Sequence, residues 1–196
     1  MLTPREVEEV KKIEGKARTV TLRTDAAFVT RWKGQGELQK IEDRLRGFGY
    51  PISYEKTKAL EWCPMRLRVL SLLVIKDMFN WGDDEVRAMG YAAPMYSFVA
   101  RLFMKAIGSP KLAISRAPVY WASHYDVGKV EVKYPDEGKG VSLFVKDFKV
   151  HPVLCKHVEG YLERVIQFVL PSQKVTVSET RCIFRGDTYH QYDALW

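Results

Sequence analysis

Cysteine is scarce. Cys63, Cys155 and Cys182 are the three in a chain of 196 residues. An odd count at wide spacing does not build the disulfide framework of a small secreted protein, so a cytoplasmic setting is expected, with the thiols used for core packing or metal ligation. Long apolar runs are missing as well. The charged opening, Met1 to Lys16, holds no stretch of signal-peptide length, and no window reaches the ~18 apolar residues of a membrane span. Phosphate-binding signatures are absent. Gly34-Gln-Gly36 and Gly138-Lys-Gly140 lack both the third glycine of a dinucleotide fingerprint and the Lys-Ser/Thr of a phosphate loop, and they read as turns. There is no Gly-x-Ser-x-Gly elbow. His124 beside Ser123 and Asp126 does not make a triad, because neighbours in sequence seldom converge as nucleophile, base and orienter. No catalytic residue is assigned, and the chain reads more as a binding protein than as an enzyme.

Charge of one sign is also not concentrated. Lys and Arg number 31 against 24 Asp and Glu, a formal +7. Yet the basic residues, such as Arg66, Arg68, Lys129, Lys133, Lys146 and Lys149, are interspersed with acids and form no basic arm. They read as solvated faces, and a nucleic-acid partner is not expected. What is plentiful is core material: hydrophobic residues make up 46% and aromatics 12%, enough for one sizeable interior. The expected organisation is one continuous domain. In it, residues 1–60 form a helical and extended region packed on a ligand-binding α+β domain over 61–196.

Thr3, Pro4 and Glu6 form a helix start with a capping box, leading a short helix to about Ile13. Arg18 to Thr24 alternates apolar or β-branched with polar residues and reads as a strand or extended arm. Leu38, Ile41, Leu45 and Phe48 share one helical face, stopped by Gly47, Gly49 and Pro51. Cys63-Pro64 opens a helix running to Asn80. Asp83-Asp84-Glu85 starts a short helix ending at Gly90, and Pro94 starts another through Ile107. Pro110 to Tyr125 reads as a helix interrupted at Pro118, with Tyr120, Trp121 and Tyr125 on a common side. After Gly128 the pattern turns to β: Lys129 to Tyr134 pairs with Val141 to Phe148 as a hairpin. A helix from His151 to Leu170 follows, and Gln173 to Phe184 with Thr188 to Leu195 makes a closing hairpin around Arg185-Gly186-Asp187. The fold class is α+β, with helices packed on a small antiparallel sheet enclosing an apolar pocket.

The residues that carry chemistry lie near the C-terminus. Cys155 sits at the start of a helix, and Glu179, Cys182 and His190 sit on the closing hairpin. Glu179 and Cys182 are three apart on one strand, so a bulge or bend must make them converge, and His190 falls across the turn, opposite Cys182. Two thiolates, an imidazole and a carboxylate suit a closed, structural tetrahedral zinc site. Without a Cys-x-x-Cys pair, spacing alone favours the plainer reading, in which the two cysteines are small buried hydrophobes, His190 is an exposed strand residue and Glu179 solvates a turn.

The stretch Cys155-Lys-His-Val-Glu-Gly-Tyr161, then Ser178-Glu-Thr-Arg-Cys182 with Gly186-Asp187 and a ligand-type residue eight after the cysteine, resembles the 4-vinyl-reductase sensor-domain family. Pro118, Trp121, Tyr125 and Gly128 look like that family's aromatic approach to its first strand. The resemblance covers Ala88 to Trp196. It implies an α+β fold shared with haem-based nitric-oxide sensors and vesicle-tethering subunits, an apolar pocket, and a zinc beside it. Carried over, the metal ligands are Cys155, Glu179 and Cys182, with His190 in place of the family's last cysteine.

The pocket is expected to draw on Trp62, Phe79, Trp81, Met95, Phe98, Phe103, Tyr120, Trp121 and Tyr125. Phe98, Phe103, Trp121 and Tyr125 are the assigned ligand-binding residues, for a small hydrophobic or aromatic molecule. Haem is not expected, because the tyrosine, serine and arginine signature of haem-based nitric-oxide sensors is missing, although His124 is a conceivable ligand. His151 and His157 are expected to decorate the C-terminal helix. The reading is a sensor domain with a structural zinc clip, signalling through self-association or a partner protein. The alternatives are an accessory to a tetrapyrrole vinyl reductase and an interaction scaffold of the tethering-subunit type.

Overall fold

The computed structural model describes residues 2–97, 100, 110–135 and 140–196. Helix α1 spans Pro4–Lys11. Its capping box is formed, with Glu6 N–H donating to the Thr3 hydroxyl and Thr3 N–H donating to the Glu6 carboxylate. A three-residue strand β1 (Lys16–Arg18) leads into α2 (Val20–Lys33), followed by α3 (Gly36–Gly47). Strand β2 (Trp62–Pro64) pairs antiparallel with β1, and α4 (Met65–Met78) starts directly from it.

Arg18–Thr24 is therefore not a strand beyond Arg18. The alternation seen there is a fragment of a helical stripe: Leu22, Asp25, Ala26 and Val29 are all buried, at the i, i+3, i+4, i+7 spacing of one helix face. A window ending at Thr24 is too short to show it. Thr19 anchors the helix start, its N–H donating to the Glu61 carbonyl at 2.9 Å.

Helix α5 runs from Asp83 to Tyr96 through both Gly90 and Pro94, so neither residue acts as the stop or start that it suggests. Gly90 serves a close approach instead. A Cβ there would lie 1.9 Å from the carbonyl oxygen of His157, on the long helix α8 (Val153–Val169), and a Cβ on Gly160 of α8 would lie 2.0 Å from the carbonyl oxygen of Arg87. The two helices cross with their backbones in contact, which only glycine permits. Of the expected helix from Pro94 to Ile107, residues 98–99 and 101–107 lie outside the described residues. Two short helices follow, α6 (Pro110–Ser115) and α7 (Ala117–His124). The break falls at Arg116, and Pro118 sits in the first turn of α7, where its missing N–H costs nothing.

The sheet is antiparallel in the order β3 (Lys129–Lys133), β4 (Gly140–Lys146), β6 (His190–Leu195), β5 (Thr176–Arg181). The fold is α+β with helices packed on this sheet. One hydrophobic cluster extends from Val7 and Val10 through α2, α4 and α5 to Val177, Tyr192 and Ala194. Among the described residues no helix is long and apolar enough to cross a membrane.

The buried interior also holds charge. Arg68 on α4 and Asp25 on α2 are both wholly buried and ion-paired, and His157 on α8 joins them: Arg68 Nη2 lies 3.0 Å from His157 Nε2, and Asp25 Oδ1 lies 3.2 Å from it. Arg68 is thus no solvated cation and His157 no surface decoration. The signal available in the sequence was Asp25, an acid within an apolar stripe.

Candidate functional site

Cys155 lies in the first turn of α8. Glu179 lies near the end of β5, where the pairing with β6 shifts register between Glu179 and Arg181. That bulge is the irregularity that two residues three apart on a strand require if they are to face one point. Cys182 follows β5, and His190 opens β6, opposite Val145 of β4. The four side chains converge, with one ligand atom from each lying within 4.8 Å of the others. Cys155 Sγ is 3.7 Å from Cys182 Sγ and 4.0 Å from His190 Nδ1, and His190 Nδ1 is 2.9 Å from Glu179 Oε1.

The surroundings orient these groups. His190 Nε2–H donates to the carbonyl of Phe148 at 3.1 Å, which fixes the ring and turns Nδ1 toward the cluster, as an outer partner does for a ligating imidazole. Cys182 N–H donates to Asp187 at 2.8 Å and holds the turn. Burial, with Glu179 and Cys182 beside it, pushes the Cys155 thiol far above its ordinary value. Burial also acts to raise Glu179, but hydrogen bonding and charge from His190, Arg185 and Cys182 outweigh it and leave that carboxylate low. A cation among the four would reverse the penalty on the thiols, because a coordinated thiol is deprotonated. The donor set fits a divalent transition metal in tetrahedral coordination.

A second feature lies farther along α8. An apolar cavity of about 100 Å³ lies among α2, α5, α6, α7, α8 and the inner face of β3 and β4, with Ile114, Trp121, Tyr125, Val145, Val158 and Tyr161 among its walls. Trp121 donates its indole N–H to the Val127 carbonyl at 3.0 Å and so turns its ring, not its donor, to the cavity. Its ring centroid lies 4.8 Å from that of Tyr125 and 4.9 Å from that of Phe148. Tyr161 donates to the Tyr120 hydroxyl at 2.6 Å. The polar groups in the wall include Thr24, His124 and His157.

Trp121 and Tyr125 thus line the cavity, as does Tyr120, while Phe98 and Phe103 lie outside the described residues. Four aromatic or Met candidates belong elsewhere. Trp62 and Met95 are solvent-exposed. Phe79 and Trp81 pack on each other, and Trp81 meets Phe28 edge-on.

Comparison with solved structures identifies the architecture. It is the fold of H-NOX domains. An H-NOX protein from S. oneidensis in the Fe(II)NO ligation state superposes with a TM-score of 0.68 at 12% identity, covering 90% of this chain and 97% of that one. An oxygen-binding H-NOX domain related to soluble guanylate cyclases gives 0.63 at 9%, covering 87% and 89%. A structure described as modulating haem redox potential through protein-induced porphyrin distortion gives 0.65 at 9%, covering 91% and 99%. At such identities the likeness is one of fold. No known family matches the sequence and no curated protein is similar to it, so the resemblance to 4-vinyl-reductase sensor domains rests on its motif residues alone.

The cofactor expectation of zinc without haem is corrected by these neighbours. Among the neighbours, two are described by their haem and the S. oneidensis protein by an Fe(II)NO state, and none of these descriptions speaks for zinc. A missing tyrosine, serine and arginine signature is no ground for setting haem aside in this fold. One histidine, His124, faces the cavity from α7. It is buried in the cavity wall, and its Nδ1 sits 2.9 Å from the Tyr120 carbonyl, which leaves Nε2 as the atom available to a ligand. Burial lowers its pKa and keeps the ring neutral. The space is the constraint. A volume of about 100 Å³ is the scale of a single ring and smaller than a macrocycle.

Proposed function

We propose that this chain is a small-molecule-sensing domain. Its cavity takes a compact hydrophobic or aromatic ligand, and its Cys155, Glu179, Cys182 and His190 cluster binds a divalent transition metal that ties α8 to the closing hairpin. The observation that carries the reading is the apolar cavity: about 100 Å³, walled by aromatic and aliphatic side chains, with a few polar groups at its margin. A dry apolar cavity of about 150 Å³ is known to hold benzene, so this space suits a molecule of one ring. The fold is one in which other proteins hold a small diatomic ligand, and α8 gives occupancy a route outward, because the same helix lines the cavity and supplies Cys155.

The cluster supports the metal because its donors are already gathered and oriented, as a site that contributes to folding requires. Residues 1–60 are read as an integral layer of one domain, since Val7, Leu22 and Phe28 enter the same core as Val177 and Tyr192. A second reading, haem ligated by His124, is favoured by that imidazole's burial and its anchored Nδ1.

Metal content and the absorption spectrum of one purified sample, followed by calorimetric titration with toluene, test both readings. About one transition metal per chain, no Soret band and saturable toluene binding support the first reading. A Soret band abolished by His124→Ala supports the second. A colourless, metal-free protein that binds no small arene overturns both.

A further inference from the structure

The sheet turns one face inward and leaves the other open. Val130, Leu143, Val145, Val177, Tyr192 and Ala194 are buried on the inner face, whereas no side chain that alternates with them on the opposite face is buried. Lys133 of β3, Phe144 of β4, Arg181 of β5 and Tyr189, which immediately precedes β6, form a row across that open face. Lys133 Nζ lies 5.3 Å from the centre of the Phe144 ring. Phe144 and Tyr189 meet edge to face with centroids 5.6 Å apart, and the guanidinium carbon of Arg181 lies 5.7 Å from the centre of the Tyr189 ring. Both rings are half-buried, so each keeps surface for a further contact.

The charge on this face is positive once the acids are accounted for. Glu131 pairs with Lys146 at 2.7 Å. Asp193 accepts from Ser142 and Thr180 at 2.6 Å each and from Gln191 at 2.9 Å. Among the described residues Lys129, Lys133 and Arg181 make no ion pair, and all three are exposed. Sequence order hides this grouping, because acids stand between these cations or half the C-terminal region does, and only strand pairing collects them. A protein partner would ask for an apolar centre depleted of charge, and here the aromatic centre is flanked by cations and by hydroxyls. Rings to stack on and cations for phosphates are what unpaired bases on a backbone require, and a four-stranded sheet is a known way to present them. A duplex keeps its bases stacked on each other and cannot use the rings.

We propose that the open face of the sheet binds single-stranded nucleic acid, with bases stacked on Phe144 and Tyr189 and phosphates met by Lys129, Lys133 and Arg181. In the free protein Lys133 and Arg181 lie over the rings, and an exposed cation–π contact is weak enough to be exchanged for a phosphate.

The proposal depends neither on the cavity nor on the cysteine cluster. Fluorescence anisotropy of the full-length protein with a labelled oligothymidylate of about twelve nucleotides, a length within the range of such platforms, tests it. Saturable binding is expected, with log K falling against log salt at a slope of about −2 for three phosphate contacts. Phe144→Leu is expected to weaken binding about tenfold, the loss of one stacked base, and Phe144→Tyr to retain it. Lys133→Gln should weaken binding and flatten the salt slope by about 0.7. Lys56→Gln, the same charge change outside the sheet, should alter neither. In NMR spectra of the unsubstituted protein the Phe144 ring protons should move upfield as the oligonucleotide is added. An oligouridylate of the same length distinguishes RNA from DNA as the source, and binding of either strand supports the platform. Polyglutamate or a duplex binding as tightly as the single strand, Phe144→Leu without effect, or no binding at about 50 mM salt overturns it.

Discussion

Gly160→Ala distinguishes an argument from packing from one based on helix propensity, since the two disagree in sign. Alanine is the better helix former by about 1 kcal/mol in an exposed helix interior, so a reading of α8 as an isolated helix expects stabilisation. At Gly160 the added Cβ would stand 2.0 Å from the carbonyl oxygen of Arg87 and 2.9 Å from the backbone nitrogen of Tyr91. Even a weak C–H···O contact needs about 3.3 Å, so α5 and α8 would have to separate by about 1 Å along the line of contact. Both offending atoms are backbone, and no rotamer change relieves them. Overpacking of this kind costs about 1–3 kcal/mol or somewhat more. After the propensity gain, a net loss of about 2 kcal/mol is expected, or roughly 4–8 °C in Tm for a chain of this size. Urea denaturation followed by circular dichroism measures it. Because α8 also carries Cys155 and His157, the same variant should bind metal and cavity ligands more weakly. A Gly160→Ala protein more stable than the parent, with binding intact, would refute the close crossing.

Three further outcomes follow from the buried groups. Arg68→Met leaves Asp25 charged and unpaired in the core and is expected to cost about 3–5 kcal/mol, with Asp25→Leu/Arg68→Met regaining more than half of it. A double-mutant cycle with no coupling contradicts the pair. The His157 pKa is depressed in the fold, so below about pH 6.5 the unfolded chain takes up a proton that the native state refuses. Stability is complete above that pH and falls as the pH drops, with a slope approaching 1.4 kcal/mol per unit for this one group. A flat stability profile between pH 7 and pH 5 counts against a neutral, buried His157. Cys182→Ser is expected to lose bound metal and to melt lower, since a metal that binds only the native state stabilises it by mass action. Retention of one equivalent of metal by that variant, measured by elemental analysis, removes Cys182 from the ligand set.

The strongly periodic or punctuated elements were legible in the sequence: the capped α1, the α3 stripe, the 129–146 hairpin, the long α8 and the closing hairpin. The need for a bulge between Glu179 and Cys182 was legible too, because strand alternation by itself sends residues three apart to opposite faces. What escaped has a common cause. Gly90 and Pro94 look like punctuation when only local rules are applied, and α5 runs through them because contact with α8 decides the matter. Asp25 is an acid within an apolar stripe and hints at a buried partner, but Arg68 and His157 sit on helices far from it in the chain. Their meeting depends on a crossing that the glycines permit, and nothing in a single segment announces it.

The placement of those glycines also bears on how the two candidate sites communicate. Cys155 and His157 are two residues apart on α8, one reaching the hairpin cluster and the other the cavity wall, and Gly160 follows within a turn to set the distance from α5. A rigid helix shifted by a ligand at His157 carries Cys155 with it, since packed elements move as units. The metal cluster joins α8 to the bulge at Glu179, and Glu159 of α8 adds a second tie there by accepting the Glu179 N–H at 3.0 Å. If both sites are filled as proposed, ligand occupancy and the position of the closing hairpin are coupled through one helix. Reciprocity requires that metal loading alter affinity in the cavity by the same factor that a cavity ligand alters metal affinity.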